Sequence, residues 1–109
     1  MSCDTIAAIS TSLAAAGIGV IRISGDSACE IADKVFRSVS GKHIAELNGY
    51  TAAFGHVYSG DTVLDEAVAT RFKAPHSYTG EDVVELSCHG GTFIMRRALR
   101  AVLDAGARP

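Results

Sequence analysis

The sequence predicts an α+β domain: a mixed β-sheet with helices packed on one face, in the order β-β-α-β-β-β-α. Two observations lead to this class. Short β-branched or alternating runs recur at residues 5–10, 17–24, 51–58 and 63–72 and in the run ending at Cys88. Two other stretches, after Ser27 and after Thr92, carry apolar residues at helical spacing.

In chain order, Thr5 to Ser10 suits a first strand, and Thr11 to Gly17 is a small-residue connection. Gly17 to Ser24 is a nearly continuous β-branched run, the pattern of a strand covered on both faces. Ile18, Val20 and Arg22 share one of its faces; Ile21 and Ile23 share the other. Gly25 ends it. Ser27 and Glu30 fit a capping box, with Asp26 as a competing cap. Ala28, Ile31, Ala32, Val35 and Phe36 then form the apolar stripe of a helix to about residue 38. Residues 38–50 read as loop. Ser59-Gly60-Asp61 joins the next two strands as a hairpin turn. Pro75 breaks the ladder. Ser77 to Gly91 reads as loop, buried strand and tight turn. Thr92 caps a last helix with Ile94, Met95, Ala98, Leu99, Val102 and Leu103 inward, stopped at Gly106.

A chain of 109 residues, 48% hydrophobic and 20% charged, forms one globular domain with one modest core. No apolar run approaches the roughly 20 residues that cross a bilayer. The start, Met1-Ser2-Cys3-Asp4, has no signal-peptide pattern, so a cytoplasmic location is expected. A formal net charge of −2 gives no general affinity for nucleic acid. The local basic cluster is Arg96, Arg97 and Arg100, which reads as a solvated face or as a docking surface for RNA or a partner. Cys3, Cys29 and Cys88 lack CxxC spacing and read as reduced thiols. The stop shortly after Gly106 fits a domain cut from something longer.

Several chemistries are excluded. There is no GxxxxGK[ST] phosphate loop. Gly17-Ile18-Gly19 enters a strand and is no dinucleotide fingerprint. Cys88 and His89 are adjacent on a strand and point to opposite faces, a poor metal or nucleophile–base pair. His43, His56, His76 and His89 are scattered, so no metal site is expected.

Arg22 and Glu85 are the informative pair, each ionisable within an apolar strand. They are either partners in a buried salt bridge that adds little net stability, or a polar spot in a ligand pocket. In the second case the carboxylate suits a ligand edge with two adjacent N–H donors, and the guanidinium suits a carbonyl or carboxylate. His89-Gly90-Gly91 either offers backbone N–H groups to an anion or is only a tight turn.

Three blocks carry a resemblance: Gly17-Ile18-Gly19-Val20-Ile21-Arg22-Ile23-Ser24-Gly25, then Ser77-Tyr78-Thr79-Gly80-Glu81-Asp82-Val83-Val84-Glu85-Leu86, then Cys88-His89-Gly90-Gly91. With the opening Asp4-Thr5-Ile6-Ala7-Ala8-Ile9, they resemble the N-terminal domain of the tRNA-modification GTPase family MnmE, also called TrmE. The resemblance runs from Asp4 to the end of the chain. It implies a fold similar to the folate-binding domains of one-carbon enzymes. It also implies that residues 1–109 are a tetrahydrofolate-binding and dimerisation domain of a longer protein, whose helical and GTPase domains lie outside this chain. The implied ligand is 5-formyl-tetrahydrofolate or a related folate, held near a homodimer interface, with Arg22 and Glu85 matching the folate-contacting positions. The implied partners are the FAD-dependent protein MnmG (GidA) and tRNA, whose wobble uridine is modified at C5. GTP, Mg2+ and K+ belong to the full-length protein; no catalytic residue and no GTPase site are expected here. Ser12-Leu13-Ala14-Ala15-Ala16 departs from the family's Pro/Gly-rich loop, and a further basic ligand contact of the family falls beyond Pro109.

Two competing expectations stand beside this one. One is a ligand-free dimerisation or interaction module with a structural Arg22–Glu85 pair. The other is a stand-alone one-carbon transferase, against which the absence of an evident base beside Glu85 counts.

Overall fold

Alternation of side chains along each strand assigns one face of the sheet to the core. In the computed structural model, which describes residues 4–10, 18–73 and 80–109, the strands are β1 (Ile6–Ile9), β2 (Gly19–Ser24), β3 (Phe36–Ser38), β4 (Thr51–Ser59), β5 (Thr62–Phe72) and β6 (Val83–Cys88). They form a single sheet in the order β1-β2-β6-β5-β4-β3. Each of its ladders is antiparallel. The mixed character expected of it is confined to an isolated parallel bridge between Ile6 and Arg108. The helices α1 (Ala28–Val35) and α2 (Gly91–Asp104) pack on the sheet, giving the α+β class.

The core forms where strand registers align apolar side chains. Ile21 stands opposite Leu86, which stands opposite Ala69, and all three are fully buried. Ile23, Val84 and Ala67 share this face and are also fully buried. Small residues here let α2 approach: a Cβ on Gly19 would lie 2.6 Å from Met95 Sδ. Gly25 turns β2 into α1 at φ +141, and a Cβ there would lie 2.7 Å from the Thr5 backbone. Only glycine meets both demands without strain.

Four local expectations are corrected. The first helix stops at Val35, and Phe36–Ser38 pairs with β4 as an edge strand. Phe36 is buried in either geometry, so its helical spacing concealed the change. The loop after it contains a short 3₁₀ turn, Ile44–Glu46, whose Ile44 is 1% exposed. Asp33 holds this turn by accepting from the Ile44 N–H at 2.6 Å. Ser27 is the N-cap of α1, but its side chain makes no capping bond; its N–H donates to Thr5 Oγ1 at 3.0 Å. Finally, α2 starts at Gly91 with Gly90 as N-cap, so Thr92 lies inside the helix. Gly106 stops it as expected, at φ +128. The Ser12–Ala16 loop, Gly17, Cys3, Pro75, His76 and Ser77–Thr79 lie outside the described residues. Among the described residues no helix is long and apolar enough to cross a membrane.

Candidate functional site

The face of the sheet away from the helices carries the conspicuous polar pair. Ile21 and Ile23 of β2 are fully buried under the helices, whereas Val20 and Arg22 on the opposite face are only partly buried. The expectation that this strand is covered on both faces holds on the second face at Ser24, which is 4% exposed, and is corrected at Val20 and Arg22. Neither described helix covers the second face, and Arg22 sits on it and not in the core.

Arg22 and Glu85 are direct cross-strand partners in the β2–β6 ladder. Arg22 Nε and Nη2 both donate to Glu85 Oε2, at 2.9 and 2.8 Å. Their side chains are 36% and 16% exposed, so this is a partly buried pair with Arg22 at its solvent edge. Such pairs contribute at most about 1 kcal/mol to stability. Glu85 Oε1 accepts no hydrogen bond from other described residues. One carboxylate oxygen therefore anchors the guanidinium while the other keeps its acceptor capacity.

The register decides what surrounds the pair. In the same row, Ala8 stands beside Arg22, and Thr70 beside Glu85. Ala52 follows Thr70. These small side chains make a low floor on either side of the ion pair. The next row on the same face holds Val20, Ser87, Val68 and Phe54. Phe54 is 46% exposed, and Ile6 at the β1 edge is 43% exposed. A polar fork in a shallow apolar tray is a surface on which a flat heterocycle can lie while its edge donates to a carboxylate.

The His89-Gly90-Gly91 turn has a different use. Asp65 Oδ2 accepts from the His89 N–H at 2.6 Å and from the Gly90 N–H at 2.8 Å. The anion at this turn is thus the chain's own side chain, which ties β5 to the start of α2. The sequence reading missed Asp65. Its signal was a carboxylate at the same strand parity as the buried Ala67 and Ala69. It also missed Arg71, on the core side of β5, which donates to the carbonyls of Ala45 and Leu47 at 3.0 and 2.8 Å.

The two described thiols, Cys29 and Cys88, are not activated nucleophiles. Burial, and secondly the Asp65 charge, push the Cys88 thiol up from 9.0 to about 12. Burial also raises Cys29, against a lowering pull from Arg71. Among the described residues no three His, Cys, Asp or Glu side chains gather in a metal-holding group.

Comparison with known proteins decides the family. Residues 5–109 match the family model of the GTP-binding protein TrmE N-terminus. The chain belongs to that family. The tRNA modification GTPase MnmE of Caldicellulosiruptor saccharolyticus is 49% identical over 108 residues, covering 99% of this chain and 24% of that protein. The tRNA modification GTPase MnmE of Chlorobium phaeobacteroides is 46% identical over 110 residues, with 99% and 23% covered. The protein of that name from Clostridioides difficile is 43% identical over 105 residues, with 96% and 23% covered. The chain spans about a quarter of the length of these curated relatives. In this TrmE N-terminal domain, Arg22 and Glu85 are brought together, while Cys88 is fully buried and His89 takes part in the turn.

Proposed function

We propose that this domain binds a 5-formyl-tetrahydrofolate-type one-carbon donor on its open sheet face and homodimerises. It thereby serves a cytoplasmic GTPase that modifies C5 of the wobble uridine of tRNA together with the FAD-dependent protein MnmG. The observation that carries the folate reading is the Arg22–Glu85 fork, bonded through one carboxylate oxygen and set among small side chains on an exposed face. A pterin presents an amino group and a ring N–H side by side, the donor pair a carboxylate accepts. Glu85 holds that edge. Arg22 fixes the carboxylate in place and, as the second folate-contacting position, adds a guanidinium to the polar edge of the site. The folate supplies the one-carbon unit; this chain binds and orients it. GTP, with Mg2+ and K+, acts elsewhere in the full-length protein.

The pairing itself favours a second reading, a ligand-free dimerisation module in which Arg22 and Glu85 only hold β2 to β6. Calorimetric titration with 5-formyl-tetrahydrofolate separates the two. Saturable binding by the wild type that disappears in Glu85→Gln supports the folate site. A folded dimer that gives no binding heat in either form leaves the ion pair structural.

A further inference from the structure

We propose that the solvent face of α2 is a contact surface for the RNA sugar-phosphate backbone. The choice of RNA over an acidic protein rests on the reading that the domain serves tRNA modification.

The net charge of −2 conceals a partition between the two helices. The α1 side carries Asp26, Glu30 and Asp33. The outward stripe of α2 is Phe93, Arg96, Arg97 and Arg100, at i, i+3, i+4 and i+7, and all four are exposed. Most of the chain's cations already have a use. Arg22 is paired with Glu85, Arg108 with Asp4 and Arg100 with Asp104. Arg71 and Lys34 donate to backbone carbonyls. Arg37 lies 4.3 Å over the Tyr58 ring. Arg96 and Arg97 have no carboxylate partner among the described residues and stand side by side on a rigid helix.

Phe93 adds a second feature. It is 70% exposed, the largest exposure among the large apolar side chains described, and the Arg97 guanidinium lies 5.9 Å from its ring centre. Two unpaired guanidiniums match phosphate oxygens as planar forks. An exposed aromatic ring beside them offers a stacking platform to an unpaired base. The α2 stripe and the folate tray lie on opposite sides of the sheet, so RNA and folate can be held together.

The test is anisotropy of a fluorescein-labelled tRNA transcript titrated with the protein between 50 and 200 mM KCl. Arg96→Glu with Arg97→Glu is compared with Lys42→Glu with Lys73→Glu, which makes the same change in net charge away from α2. The α2 pair is expected to weaken binding at least tenfold at the lower salt and to flatten the log K against log[salt] slope by about 2, the effect of losing roughly two phosphate contacts. Phe93→Ala is expected to weaken binding several-fold with the slope unchanged. Equal losses in the two double variants, or an unchanged slope in the α2 pair, overturn the proposal and leave the stripe to solvent or an acidic protein. If the reversal pair does not fold, Arg96→Gln with Arg97→Gln reads the same slope. Folate titration of the same variants is expected to match the wild type, so failure of the folate reading and failure of this one are separately visible.

Discussion

At Glu85 the same two hydrogen bonds serve either a ligand or the sheet, and energetics tell the roles apart. Arg22 keeps a solvated edge when its partner is neutralised, so Glu85→Gln is expected to change unfolding free energy by no more than about 1 kcal/mol, measured by urea denaturation, while folate binding is lost. A loss of several kcal/mol would instead mark a structural residue. Cys88 is the converse, a group whose burial is visible in pH dependence. Its folded thiol is raised from 9.0 to about 12, so folding favours the protonated form. That stabilisation is complete below pH 9 and is lost as pH rises from 9 to 12. Urea midpoints are therefore expected to fall above pH 9 in the wild type, and to fall less in Cys88→Ala. Arg22 and Glu85 were legible in the sequence because a charge inside an apolar strand stands out by its parity. Asp65 and Arg71 were not, because their partners, the His89 and Gly90 amides and the Ala45 and Leu47 carbonyls, are distant in sequence.

Among the elements, the β2–α1 junction is the tightest constraint. Gly25 combines a positive φ with backbone contact to Thr5. Gly25→Ala is expected to cost more than about 1 kcal/mol, since alanine is strained at that φ and its Cβ must push the Thr5 backbone away. A thermal or urea unfolding curve superimposable on the wild type would refute this. Strands β1, β2, β4, β5 and β6 were legible from alternation and β-branching, and both helices from their apolar stripes. The short strand β3 was not. Val35 and Phe36 continue the helical spacing of Ile31 and Ala32, and only pairing with Gly55–Val57 of β4 turns Phe36 into a strand residue. That pairing spans some twenty residues of intervening chain, which local pattern cannot report.

In the molecule as a whole, the asymmetry of the sheet is the decisive feature. One face is sealed by two helices, and the other presents a polar fork with exposed Ile6 and Phe54 near its margins. The β-branched run of β2 suggested cover on both sides; composition alone does not distinguish a helix from a second protein as the cover. If that cover is a second copy, sedimentation equilibrium should give twice the chain mass, and Phe54→Asp should shift the molecule toward monomer. A wild-type monomer at high concentration would remove the dimer from the account. The location of folate is tested most directly by amide chemical-shift mapping of the 15N-labelled protein with 5-formyl-tetrahydrofolate. The account predicts saturable shifts centred on Val20–Ser24, Glu85–Ser87 and Val68–Thr70. Shifts confined to the helix side, such as the 300 Å³ cavity lined by Asp4, Ser27 and Lys34, or no saturable shifts at all, would contradict it.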